Sequence, residues 1–88
     1  MKIKPEFQLQ YELDDITIVR KNADGSVTEL SPISETAAMA WEGIERNIAF
    51  DDLVDAIVTE FAGATKEGVA RDLQALMAQL VQLGYAEE

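Results

Sequence analysis

The hydrophobic period of this chain changes once, and that change limits the possible folds more than any other feature. Phe7, Leu9, Tyr11 and Leu13 alternate with polar residues, which is the pattern of a half-buried strand. "ITIVR", from Ile16, is β-branched and suits a second strand. Asp24-Gly25 supplies a tight turn, because glycine accepts the positive φ such a turn needs. Val27 to Ser31 returns as a third strand, ended by Pro32, which cannot donate to a sheet ladder. From Ser34 onward the apolar residues recur every third or fourth position. Ser34 can cap a helix carrying Ala37, Ala40, Trp41 and Ile44, with Ala38 and Met39 on its flank. Leu53, Val54, Ile57, Val58 and Phe61 form the stripe of a second helix, with Asp51 and Asp52 at its positive end. Val69, Leu73, Leu76, Leu80 and Leu83 form that of a third, closed by Gly84 and Tyr85.

The pattern predicts one α+β domain over 1–88: a three-stranded antiparallel sheet followed by three helices, winged-helix-like in outline. The strands are expected over 7–13, 16–21 and 27–31, and the helices over 34–46, 51–62 and 65–83. Trp41 reads as a core anchor joining helices to sheet.

Charge excludes whole classes of partner. Residues 1–22 hold four basic and four acidic residues, whereas residues 23–88 hold three basic and thirteen acidic ones, giving a net charge of −10. Such a surface repels phosphate backbones and argues against nucleic acid. The last helix agrees: its polar positions include Gln74, Gln79 and Gln82, with one Arg (Arg71) beside one Asp (Asp72), too little positive charge to hold a phosphate backbone. No apolar run approaches the ~20 residues of a membrane span, so no membrane partner is expected. The N-terminus lacks the apolar centre of a secretory signal, and there is no cysteine, so a cytoplasmic location is the default.

With neither His nor Cys, the commonest general base, the thiolate nucleophile and the usual zinc ligands are missing. The carboxylate groups Asp51/Asp52/Asp55 and Glu42/Glu45 read as solvated faces and favourable helix-start charges. No loop has the glycine spacing of a phosphate cradle. The expectation is therefore a protein with no catalytic residues, no metal and no cofactor. "FDDLVDAI" superficially suits an acyl carrier, but Ser26, Ser31 and Ser34 all lack the Asp-Ser-Leu context a phosphopantetheine arm needs.

Peptide binding remains. An edge strand offers an open row of N–H and C=O groups, a template for strand addition. At ~100° per residue, Ala70, Met77 and Val81 form a second apolar stripe on the last helix, beside the core stripe, with Gln74 just beyond. If this stripe borders the third strand, the two make a groove. The alternative is that Met77 and Val81 pack under the second helix or the strands. The expected peptide-binding residues are Val27, Thr28, Glu29, Leu30 and Ser31 on the strand, with Ala70, Gln74, Met77 and Val81 opposite. Glu29 would favour a basic peptide.

"ISETAAMAW", "FDDLVDAIVTEF" and "VARDLQALMAQLVQLGYAEE", in that order, resemble the PqqD-like family of peptide-recognition domains. Ile33, Ser34, Thr36, Ala37, Ala38, Trp41, Asp72, Leu76, Leu80 and Gly84 fall on positions of its pattern. Ser34 stands where Asn is commoner, Ala40 where a larger apolar residue is usual, and Pro32 shortens the usable ladder. The resemblance implies a winged-helix-like fold that binds the leader of a ribosomally made precursor peptide as an added strand between third strand and third helix. It also implies a modifying enzyme as partner, often a radical S-adenosylmethionine enzyme. A different class of function for the same edge is self-pairing in an interaction or homodimerisation module, so the expected state is a monomer or weak dimer.

Overall fold

The structure, a computed structural model, describes residues 1–88. Its elements are β1 (Lys2–Ile3), β2 (Phe7–Glu12), β3 (Asp15–Lys21), β4 (Val27–Pro32), α1 (Glu35–Glu45), α2 (Phe50–Glu60), α3 (Lys66–Gln82) and β5 (Ala86–Glu87). Strands β2, β3 and β4 form an antiparallel sheet in that order, so β4 is an edge. This is the expected α+β, winged-helix-like arrangement.

The first hairpin turns one residue earlier than its sequence suggests. Glu12 pairs with Asp15, which makes Leu13-Asp14 the turn. Leu13 takes φ 45° and is fully exposed. A left-handed backbone at a non-glycine residue costs on the order of 1–2 kcal/mol. Alternation does carry Tyr11 to the helical side, where its hydroxyl donates to the Glu42 carboxylate on α1. Two residues further on, nothing covers Leu13.

The second hairpin follows its sequence. Gly25 adopts φ 89°, and Asn22 N–H donates to the Ser26 carbonyl at 2.8 Å. The Asn22 amide group also donates to Ser26 Oγ at 3.1 Å and Thr28 Oγ1 at 2.9 Å. Ser26 donates its hydroxyl (2.6 Å) and its N–H (3.0 Å) to Asp24, which holds that carboxyl below its usual range.

Helix ends carry their signals. Ser34 Oγ accepts from Ala37 N–H and Thr65 Oγ1 from Gly68 N–H, each at 3.1 Å, capping α1 and α3. Helix α3 stops in a Schellman motif: Gly84, at φ 86°, donates to the Val81 carbonyl, and Tyr85 donates to that of Leu80. Tyr85 then packs edge-on to Phe7 at 5.0 Å between ring centroids, and tilted beside Trp41 at 6.0 Å.

Strands β1 and β5 were not expected. Ile3 pairs with Ala86 and Lys2 with Glu87, a two-residue ladder that ties the two ends of the chain together. Such short segments show no periodicity.

Two apolar clusters hold the layers. Ile3, Ile18, Trp41, Ile44, Leu80 and Ala86 join sheet to helices, and Trp41 is completely buried among them, as its anchoring role requires. Its indole N–H has no acceptor, at a cost of about 1–3 kcal/mol. Ala40, Leu53, Val54, Ile57 and Leu73 pack the helices on one another. Leu83, expected in the α3 stripe, is instead exposed beyond the helix end.

Candidate functional site

The free edge of β4 is shorter than its length suggests. Ile33 N–H donates to the Ile16 carbonyl, and Asn22 N–H to that of Ser26. Between these, Ile18 lies opposite Ser31 and Arg20 opposite Thr28. Hydrogen-bonded pairs alternate along an antiparallel ladder, so Thr28 and Ser31 turn their peptide groups toward β3. Val27 and the Glu29–Leu30 step turn theirs outward. A register shift opposite Ile18/Val19 leaves Leu30 as an extra residue, a β-bulge in the middle of the strand. Pro32 has no N–H to offer, and its carbonyl already accepts from the Ser31 hydroxyl at 3.1 Å. Of the five strand residues expected to supply a ladder, only Val27, Glu29 and Leu30 present theirs to the open side. Val27, Glu29 and Leu30 are also exposed.

Where β4 runs into α1, a hollow of about 200 Å³ opens between α1 and α3. Ala37, Ala40, Ile57, Leu73 and Leu76 give it an apolar lining, and Ser34, Thr36 and Asp72 are its polar members. For scale, an engineered apolar cavity of ~150 Å³ holds benzene. The hollow therefore has room for one large aliphatic or aromatic side chain. Asp72 meets only Arg71, at 3.9 Å, with both side chains more than four-fifths exposed. Such a pair contributes little, so the carboxylate remains available.

The helical wall expected from the sequence lies elsewhere. Ala70 is half-buried and packs on the cluster around Leu53 and Ile57; Val81 packs on the cluster around Trp41, and Met77 touches both. Met77 lines a different hollow, with Met1, Ile44, Asn47, Ile48 and Phe50. Gln74 is exposed. The stripe is thus packed into the core, with only Met77 reaching the α1–α2 connection, and what α3 contributes to the hollow that begins beyond β4 is Val69, Asp72, Leu73 and Leu76. Angular position on a helix ranks faces only relative to one another; which neighbour each face meets depends on how the helix crosses the others.

The sequence carried a signal for the residues of the hollow. Ser34, Thr36, Ala37, Asp72 and Leu76 all fall on the family pattern, and all five line the hollow. Ala37, read as core, lines it half-exposed while Ala38 is buried. No group of three or more carboxylates is placed to hold a metal ion, and no helix is long and apolar enough to cross a membrane.

A three-stranded sheet with an open edge, followed by a three-helix layer that encloses a hollow, defines a winged-helix-like domain. Comparison with known proteins narrows this. The family described as "Coenzyme PQQ synthesis protein D (PqqD)" matches residues 24–86. The chain belongs to that PqqD family. Among curated proteins no relative matches it. Two solved structures share its fold. One is TbiB1 in complex with the TbiA(beta) leader peptide, 23% identical, with a TM-score of 0.68 over 99% of this chain and 100% of that one. The other is a lasso peptide synthetase B1 complexed with its leader peptide, 18% identical, with a TM-score of 0.75 over 99% of this chain and 96% of that one. At these identities the likeness is one of fold.

Proposed function

We propose that this protein binds the leader segment of a ribosomally made precursor peptide and presents it to a modifying enzyme, with no chemistry of its own. The carrying observation is the open edge of β4 together with the hollow among the three helices, whose lining begins at Ser34, two residues beyond the strand. A leader segment would pair with Val27 and the Glu29–Leu30 step, then place one apolar side chain against Ala37, Leu73 and Leu76. The leader peptides named in the two related structures support the reading, as does family membership.

The magnitudes are compatible. A micromolar complex needs about 8 kcal/mol net. Burying a Leu- or Phe-sized side chain supplies about 1.5–3 kcal/mol, and each ladder bond about 0.5–1.5 kcal/mol. With so short a ladder, two or more apolar anchors are needed after ordering costs. Selectivity therefore resides in side chains rather than backbone. Glu29 and Asp72 favour a leader with a basic residue beside its apolar anchor. The enzyme partner, including a radical S-adenosylmethionine enzyme, and a cytoplasmic location belong to the same proposal.

Fluorescence anisotropy with a labelled leader tests it. Saturable binding that Leu76→Asp weakens by about tenfold or more, about 1.4 kcal/mol, is the expected result. Absence of binding by the folded wild-type chain, with dimerisation that rises with concentration in size-exclusion chromatography, would favour self-pairing of β4.

A further inference from the structure

Helix α1 has a second hollow on its other side. At ~100° per residue, Glu35, Met39 and Glu42 lie roughly opposite Ala37 and Ala40, which line the first hollow. This second space is about 210 Å³. Ile16, Met39 and Phe61 give it a half-buried apolar floor, and Glu35, Glu42 and Glu60 stand around it. Neither salt bridge of the structure involves those carboxylates. Arg46 is close enough to act on Tyr11 but neutralises none of them through a salt bridge. The hairpin tip beside Tyr11 repeats the combination: Leu13 is fully exposed on a left-handed backbone, next to Glu12, Asp14 and Asp15.

We propose that this acid-rimmed apolar hollow, between the β2–β3 hairpin, α1 and the end of α2, is a docking surface for a partner protein's basic segment, in which lysine or arginine stands beside aliphatic residues. The chemistry selects that occupant. Lysine and arginine lay an aliphatic stem on apolar surface while their charged heads reach carboxylates. Carboxylates without cationic partners, around an apolar floor whose one neutral polar neighbour, the Tyr11 hydroxyl, donates to Glu42, complement both parts of such a side chain. Anionic lipid surfaces and nucleic acids are repelled by the same ring. No three of the carboxylates are placed to hold a metal ion. A second copy of this chain would bring a further net charge of −10. The surface lies across α1 from the β4 hollow, so both sites can be filled together.

The test does not depend on the leader reading. A synthetic peptide alternating lysine and leucine is titrated into the ¹⁵N-labelled protein, beside a glutamate–leucine counterpart. The expected result is saturable shifts at Met39, Glu60 and Phe61 with the lysine peptide alone. The affinity should fall about tenfold in high salt, as a contact with several charges requires. It should also be lost in Glu35→Lys/Glu60→Lys, and Glu35→Gln/Glu60→Gln gives the same readout should the reversal disturb α1. Shifts that never saturate and spread over the acidic surface would overturn the proposal. So would shifts confined to β4 and the α1–α3 hollow, or binding unchanged in both double variants.

Discussion

At the scale of single residues, the structure rests on positions whose importance is sterically hidden in the sequence. Gly43 sits inside α1, where glycine normally weakens a helix by about 0.5–1 kcal/mol relative to alanine. A Cβ there would lie 2.5 Å from Leu53 Cδ1, 2.9 Å from Cδ2 and 3.2 Å from Cγ. Leu53 is fully packed, so its whole head would have to move. Overpacking costs typically about 1–3 kcal/mol, which exceeds the helix-propensity gain. Gly43→Ala should therefore lower the urea midpoint rather than raise it. Tyr11 makes a second prediction. Desolvation of its hydroxyl against α1, its hydrogen bond to Glu42 and the charges of Glu42 and Glu45 push its pKa from 10.0 up to about 12. A raised pKa means that the protonated phenol is favoured by folding. The resulting stability is complete below pH 10.0 and is lost as pH rises through about 12. Ultraviolet titration should show a tyrosinate transition near that value, and Tyr11→Phe should abolish it.

Elements were legible wherever a period or a cap marked them. Three strands and three helices follow from the alternating and helical patterns, and Ser34, Gly25 and Gly84 act as their residue types suggest. The β-bulge at Leu30, the Leu13-Asp14 turn and the β1–β5 pairing left no such mark, because each depends on contacts between segments. The candidate site divides the same way: in its strand half Val27, Glu29 and Leu30 lie on the open edge, whereas in its helical half Ala70, Met77 and Val81 pack on the core clusters and do not line the hollow. The two halves make separate predictions. Val27→Pro removes an outward N–H from an edge strand, where proline is tolerated. It should weaken leader binding while leaving the melting temperature within a few degrees. Met77 packs on both clusters, and truncating a buried methionine costs about 2–5 kcal/mol. Half-buried Met77→Ala should lose stability toward the low end of that range and keep leader affinity, the reverse of Val27→Pro. Circular dichroism melts and anisotropy on both variants separate the two roles.

For the molecule as a whole, charge and topology act together. A net charge of −10 on 88 residues, with only two salt bridges, makes the compact state repel itself. Raising salt from about 20 to about 300 mM shortens the screening length several-fold, so the urea midpoint should rise. The β1–β5 ladder ties both chain ends to the cluster around Trp41, and this leaves β4 and the two α1 hollows as open surfaces. The most direct test of the central claim is a ¹H–¹⁵N titration of the protein with the leader of a precursor peptide encoded beside its gene. The account predicts saturable shifts at Val27, Glu29 and Leu30, together with Ala37, Leu73 and Leu76. No saturable shift in a folded spectrum, or shifts centred on Ala70, Met77 and Val81 instead, would contradict it.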